Sequence, residues 1–153
     1  QSKNSPQAIV DYAHTPDALA HVIQTIKEIQ KAESQLITII GCGGNRDAEK
    51  CPKMGAIASK FSQRCLFTSD NPRDEDPNDI IEQMMTGVEP INLRKVLKIT
   101  DRAEAIKTAV ALSFPGDVIL IAGKGHETYQ ETKGHRIDFD DRLWAQNALN
   151  DIF

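Results

Sequence analysis

Apolar residues along this chain follow two rhythms. Five short, mostly apolar runs fall at residues 8–13, 36–40, 64–68, 96–99 and 118–122. Runs of that length, above all Val118-Ile119-Leu120-Ile121-Ala122 with its β-branched side chains, predict strands buried on both faces rather than helices. Between the runs, apolar residues recur three and four apart: Leu19, Val22, Ile23 and Ile26, then Met54, Ile57, Ala58 and Phe61. Ile80, Ile81, Met84 and Met85 follow, and then Ile106, Ala109 and Val110. Each set predicts a helix with one apolar stripe. Start signals agree with this reading: Thr15 precedes Pro16, Pro52 opens the second helix, Asp76 precedes Pro77, and Asp101 stands three before Glu104.

Beyond residue 127 the rhythm changes. Residues 128–131 and 136–139, separated by Thr132-Lys133-Gly134-His135, predict a hairpin that turns the sheet's edge antiparallel. A last helix from about Asp140 is expected to pack through Leu143, Trp144, Ala148 and Ile152. Strand and helix alternating at this spacing imply right-handed crossovers. The fold class is therefore α/β: a Rossmann-like, mostly parallel sheet covered by helices on both faces, with an antiparallel edge hairpin near the C-terminus. Residues 1–153 read as a single domain, without repeat, low-complexity tract or internal linker.

Composition narrows the function. The 153 residues carry a net charge of −4 and a pI near 5.5, so no basic excess is available for a nucleic-acid partner. No apolar run approaches the roughly 20 residues of a membrane span, and no signal peptide opens the chain, so a cytoplasmic location is expected. The polar opening lacks an initiating Met and reads as the start of a segment cut from something larger. Cys42, Cys51 and Cys65 match no common zinc spacing, so reduced thiols and no metal site are expected.

Candidate chemistry lies where the strands end. In an open parallel sheet, ligands bind at the carboxyl ends of the strands. Four loops fall there: Asp11-Tyr12-Ala13-His14, residues 41–47, Asp70-Asn71-Pro72-Arg73, and Gly123-Lys124-Gly125-His126-Glu127. They bring Arg46, Arg73 and Lys124 together with Asp11, Asp47, Asp70 and Glu127, a set suited to a zwitterionic or polyanionic small ligand. Guanidinium forks take carboxylates in paired hydrogen bonds, and carboxylates take an ammonium. Pro72 holds its own φ and keeps Asn71 out of the helical region, which fixes that turn. His14 and His126 are placed for a phosphate or carboxylate contact, whereas His21 and His135 are expected on the surface. Gly41-Cys42-Gly43-Gly44 reads either as a flexible turn or as a close backbone approach to a ligand anchored by Arg46. It has neither the dinucleotide-binding spacing nor that of a phosphate loop, which argues against a dehydrogenase and against a complete nucleotide-hydrolysing site.

Taken in order, these four loops and Met54-Gly55-Ala56-Ile57-Ala58 make the chain resemble the carboxy-terminal domain of the Mur ligases. These are ATP-dependent amide-forming enzymes that build the peptidoglycan stem peptide. Within them the chain is most similar to the branch that adds meso-diaminopimelate to UDP-N-acetylmuramoyl-L-alanyl-D-glutamate. The resemblance implies that Arg46, Asn71 and Arg73 hold carboxylates of diaminopimelate, while Asp70, Gly123 and Glu127 receive its distal ammonium or neighbouring groups, with Pro72 completing the selecting motif. It implies nucleotide-side places for Asp11 and His14, near the ATP ribose and phosphates when domains close. It further implies that ATP and Mg²⁺ serve the full-length enzyme and that the domain alone binds neither. The phosphate loop, magnesium ligands, modified lysine and UDP-sugar domain would precede this segment, leaving no catalytic residue and no metal ligand within it. The domain alone is then expected to be inactive and at best a weak binder of diaminopimelate. A lysine-adding or folate-polyglutamating ligase is opposed by Arg73 and Glu127, and a stand-alone amino-acid-binding module would have no ATPase upstream.

Overall fold

The computed structural model of the protein describes residues 4–44 and 49–153. Strands β1 (Gln7–Asp11), β2 (Leu36–Ile40), β3 (Arg64–Phe67), β4 (Val96–Lys98) and β5 (Val118–Ala122) form one sheet in the order β1-β5-β2-β3-β4. Every neighbouring pair is parallel. β2 and β5 lie at its centre and all their residues are buried, which is why their sequences are continuous rather than alternating.

Five helices cover the sheet: α1 (Pro16–Ile29), α2 (Lys50–Phe61), α3 (Pro77–Met85), α4 (Arg102–Leu112) and α5 (Asp141–Ile152). The chain moves from β1 through β2 and β3 to β4 in one direction, so right-handed crossovers put α1, α2 and α3 on one face. The return from β4 to β5 puts α4 on the other, where α5 joins it. Strand side chains alternate between the two resulting cores. Leu36, Ile40 and Phe67 pack with Leu19, Ile23, Met54 and Met84, whereas Ile37, Ile39 and Leu66 pack with Ile106, Ala109 and Leu149.

The capping residues hold as expected. Thr15 Oγ1 accepts from the Ala18 amide at 3.2 Å, and Asp76, Asp101 and Asp140 cap their helices in the same way. α2 begins at Lys50, two residues before the expected Pro52, because a proline in the first turn forfeits no intrahelical bond. A short 3-10 helix, Pro90–Lys95, leads into β4 and carries no periodicity long enough to announce it.

The hairpin is present as β6 (Tyr129–Thr132) and β7 (His135–Asp138), turning on Lys133 and Gly134 at φ 50° and 79°. Positive φ at both residues suits the twist of the flanking strands. It pairs with itself as a separate two-stranded sheet and reaches the main fold through a bridge between Arg73 and Thr132. In α5 the inward stripe is Ala145, Ala148 and Leu149, so Leu143 and Ile152, expected to pack, are 63% and 52% exposed. Among the described residues no helix is long and apolar enough to cross a membrane.

Candidate functional site

The loops after β1, β2, β3 and β5 do converge on one pocket. Tyr12, His14, Asp70, Asn71, Arg73, Gly123 and Glu127 all line it. Arg46 and Asp47 lie outside the described residues.

Asp70 and Asn71 are buried at the end of β3. The Asn71 side-chain oxygen accepts from Lys124 Nζ at 3.0 Å and from the Glu131 amide at 2.9 Å, leaving its Nδ2 as the group able to meet a carboxylate. The Asn71 carbonyl accepts from the Gly44 amide at 2.8 Å, which joins the glycine-rich loop to the Asp70–Arg73 turn. A Cβ at Gly44 would overlap the Pro72 carbonyl oxygen, and one at Gly41 would come within 2.7 Å of the Asp70 nitrogen. The glycines thus serve a close approach, and what they approach is the backbone of the neighbouring loop.

Arg73 sits at φ 55°, in the left-handed region that non-glycine residues rarely occupy. Its backbone is pinned there: its amide donates to the Glu131 carbonyl at 3.1 Å and its carbonyl accepts from the Lys133 amide at 2.6 Å. Local strain kept in place by surrounding bonds is a mark of functional positions. The Arg73 guanidinium donates through Nη1 to the Gly44 carbonyl at 2.9 Å, and its Nε lies 3.9 Å from Glu131. Its Nη2 has no partner among the described residues.

Lys124 does not face the pocket as a free cation. It is fully buried, donating to Tyr129 O at 2.6 Å and to Asn71, with Asp70 at 3.4 Å and Glu127 at 3.9 Å. Burial pushes its pKa below the usual lysine value; Asp70 opposes that shift and the Arg102 charge adds to it. Asp70 Oδ1 is buried and, despite the nearby ammonium, accepts no hydrogen bond among the described residues. Gly123, at φ 117°, allows the close pass over Asp70: a Cβ there would stand 3.2 Å from Asp70 Oδ2.

At the rim, Asp11 accepts from the Ala13 amide at 2.8 Å and so shapes its own loop. His14 is exposed, with Nδ1 3.0 Å from the Tyr12 carbonyl. The Tyr12 ring lies 4.7 Å from the His14 ring and 6.0 Å from the His126 ring, an aromatic link that motif reading missed.

Two further features were not legible beforehand. Cys42 and Cys51 form a disulfide with Cα atoms 5.9 Å apart, which corrects the expectation of three reduced thiols. The start of α2 returns Cys51 beside the end of β2, a proximity that linear spacing does not reveal. Cys65 alone is a free thiol, and burial pushes it up to about 12. Beneath the pocket, fully buried Arg102 and Asp141 form a two-bonded ion pair at 2.8 Å for each bond. Burial acts to lower the Arg102 pKa, but Asp141, with Asp70 and Glu127 beyond it, holds it above the ordinary arginine value. One signal did exist in the sequence: a cation at the first position of a helix opposes the helix dipole. No cluster of three or more metal-binding side chains stands among the described residues.

Comparison with known proteins matches residues 1–125 to the family described as Mur ligase, glutamate ligase domain. The chain belongs to the Mur ligase family. Two UDP-N-acetylmuramoyl-L-alanyl-D-glutamate–2,6-diaminopimelate ligases are among its similar Mur ligase relatives. The one from Cytophaga hutchinsonii is 54% identical over 94% of this chain, and the one from Parabacteroides distasonis 53% identical over all of it. The chain spans only 29% and 31% of their lengths. A solved structure of a ligase with the same name superposes with a TM-score of 0.87 at 43% identity, over 94% of this chain and 29% of that one. A murein peptide ligase from Psychrobacter arcticus has a TM-score of 0.64 at 15% identity, over 98% of this chain and 29% of that one, and shares the fold alone.

Proposed function

We propose that residues 1–153 are the carboxy-terminal, amino-acid-binding domain of a ligase that joins meso-diaminopimelate to UDP-N-acetylmuramoyl-L-alanyl-D-glutamate in peptidoglycan synthesis. Two relatives more than 50% identical, covering 94% and 100% of the chain, bear that name. The observation that carries the reading is the pairing, in one pocket, of a buried carboxylate oxygen lacking a hydrogen bond (Asp70) with a guanidinium whose Nη2 is unpartnered among the described residues (Arg73). An ammonium and a carboxylate on the same carbon, the far head of diaminopimelate, match that pair. Arg102 and Asp141 pair with each other beneath the pocket, and at its floor Lys124 stands against two carboxylates, Asp70 at 3.4 Å and Glu127 at 3.9 Å.

In this reading the chain binds and orients. Arg73, Asn71 and Arg46 take carboxylates, and Asp70, Glu127 and the Gly123 backbone take the distal amino group. The other end of the amino acid is then presented as a nucleophile in fixed geometry, an advantage worth several kcal/mol in oriented reactions. ATP with Mg²⁺ supplies activation of the D-glutamate side-chain carboxylate, and both belong with the central and UDP-sugar-binding domains of the whole ligase. Asp11 and exposed His14 stand on the nucleotide side of the rim. The setting is cytoplasmic, and this chain alone is inactive.

The test is amino-acid competition in the full-length ligase. meso-Diaminopimelate is expected to be strongly preferred over L-lysine. Arg73→Ala leaves a desolvated carboxylate unpaired, costing about 2–5 kcal/mol, and should raise the diaminopimelate KM by at least thirtyfold with the ATP KM little changed. Equal use of L-lysine, an unmoved KM, or turnover by the 153-residue chain alone would each refute the proposal.

A further inference from the structure

The two pocket loops that follow β3 and β5 do not hydrogen-bond through neighbouring strands. β2 lies between them in the sheet, so their parent strands are two spacings, about 10 Å, apart. Lys124 links the two loops directly by donating to Asn71 at 3.0 Å. A second side chain spans the gap from below, gripping the backbone of the loops rather than their side chains. Arg102 donates from Nη1 to the Ser69 carbonyl at 3.1 Å and from Nη2 to the Ala122 carbonyl at 3.3 Å. Those carbonyls belong to the peptide units leading directly into Asp70 and into Gly123. The remaining edge of the guanidinium is occupied by Asp141 through Nε and Nη2. Arg102 opens α4 and Asp141 opens α5, so the pair also ties the amino termini of both helices on that face to the pocket floor.

We propose that the buried Arg102–Asp141 pair is the positioning element of the amino-acid pocket, setting the separation between the Asp70–Arg73 turn and the Gly123–Glu127 turn. The inference rests on the reading of that pocket as the diaminopimelate site. A pair serving stability alone has no need of two carbonyls from non-adjacent strands. Apolar residues of similar volume often replace a buried ion pair at little cost or with a gain in stability. What such a replacement cannot do is hold the Ser69 and Ala122 carbonyls at one fork. Lysine, a point charge with a single nitrogen, cannot hold both in that geometry either. Neither residue touches the pocket, so both act through Asp70 and Gly123.

The experiment uses the full-length ligase with the double substitution Arg102→Met with Asp141→Leu, and separately Arg102→Lys. Steady-state rates are measured against diaminopimelate and against ATP, with thermal melting in parallel. The double variant is expected to melt near the wild type, to raise the diaminopimelate KM at least tenfold, and to leave the ATP KM within twofold. Arg102→Lys is expected to raise the diaminopimelate KM severalfold. Should the double variant not fold, Arg102→Lys carries the test, together with the Arg102 Nε–H resonance of the wild-type full-length ligase, which should shift on saturation with diaminopimelate. A folded variant with an unchanged diaminopimelate KM, a resonance that does not move, or equal loss toward both substrates would overturn the proposal. Wild-type enzyme indifferent to diaminopimelate would instead overturn the reading of the pocket, so the two failures are distinct.

Discussion

Replacing Lys124 with Met tests the internal wiring of the pocket most directly. The substitution keeps the length of the side chain and removes its charge and donors. Two hydrogen-bond acceptors lose a donor, and the Asp70 and Glu127 carboxylates lose a cation. Tyr129 O loses a 2.6 Å bond, Asn71 Oδ1 keeps only its bond from the Glu131 amide, and Asp70, with a side chain 11% exposed, loses its 3.4 Å ion pair. Removing one partner of a buried pair costs about 3–5 kcal/mol. Relief from burying an ammonium, whose pKa burial already lowers, offsets part of that. The net expectation is a destabilisation of about 3 kcal/mol, or roughly 6–12 °C in Tm for a chain of this size. Urea and thermal unfolding followed by circular dichroism would measure it. A double-mutant cycle with Asp70→Asn should then return a coupling of about 1–3 kcal/mol, because the two groups meet directly. A loss below about 1 kcal/mol, or strict additivity of the two substitutions, would show that Lys124 is a surface-like cation and that the pocket floor is held in some other way.

Three further outcomes follow from the structure. Reducing the Cys42–Cys51 disulfide, which closes a loop of sequence separation 9, should lower unfolding free energy by about 2–3 kcal/mol. Urea midpoints with and without dithiothreitol measure this, and a Cys51→Ser variant should not respond to the reductant. The Cys65 thiol, pushed from 9.0 to about 12 by burial, binds its proton in the folded state where the unfolded chain has lost it. Its stabilisation is therefore complete below pH 9 and lost as pH rises toward 12, by up to about 1.4 kcal/mol per pH unit. The stability difference between wild type and Cys65→Ala should shrink over that range, and a constant difference would contradict the assignment. Gly44→Ala places a methyl group on the Pro72 carbonyl and should cost about 1–3 kcal/mol in unfolding free energy, whereas an unchanged urea midpoint would mean that the two loops are not in contact.

Much of the architecture was legible because its signals are local. Thr15, Asp76 and Asp101 announced their helices through side chains that bond amides two or three residues away. β2 and β5 announced themselves as unbroken apolar runs because helices cover both of their faces. The four pocket loops were identified by position alone, each following a strand of a parallel sheet. Other features escaped for a common reason: their partners are far away in sequence. Lys124 reads as one more loop cation until Asn71, 53 positions earlier, is seen to take its proton donor. Arg102 and Asp141 stand 39 positions apart, and nothing near either residue names the other. Leu143 and Ile152 look like core residues of α5, yet the face presented to α4 runs through Ala145, Ala148 and Leu149.

The order of strands and helices, the capping of each helix and the gathering of charged loops along one rim of the sheet were already written in the order of the amino acids. Each depends on interactions within a few residues or on the handedness shared by all L-polypeptides. Which charges turn inward to hold the pocket, which remain for a ligand, which thiols join and whether the hairpin extends the sheet were decided only when distant segments packed together. Burial makes an unpaired charge costly, and a pairing partner exists only once the chain has folded.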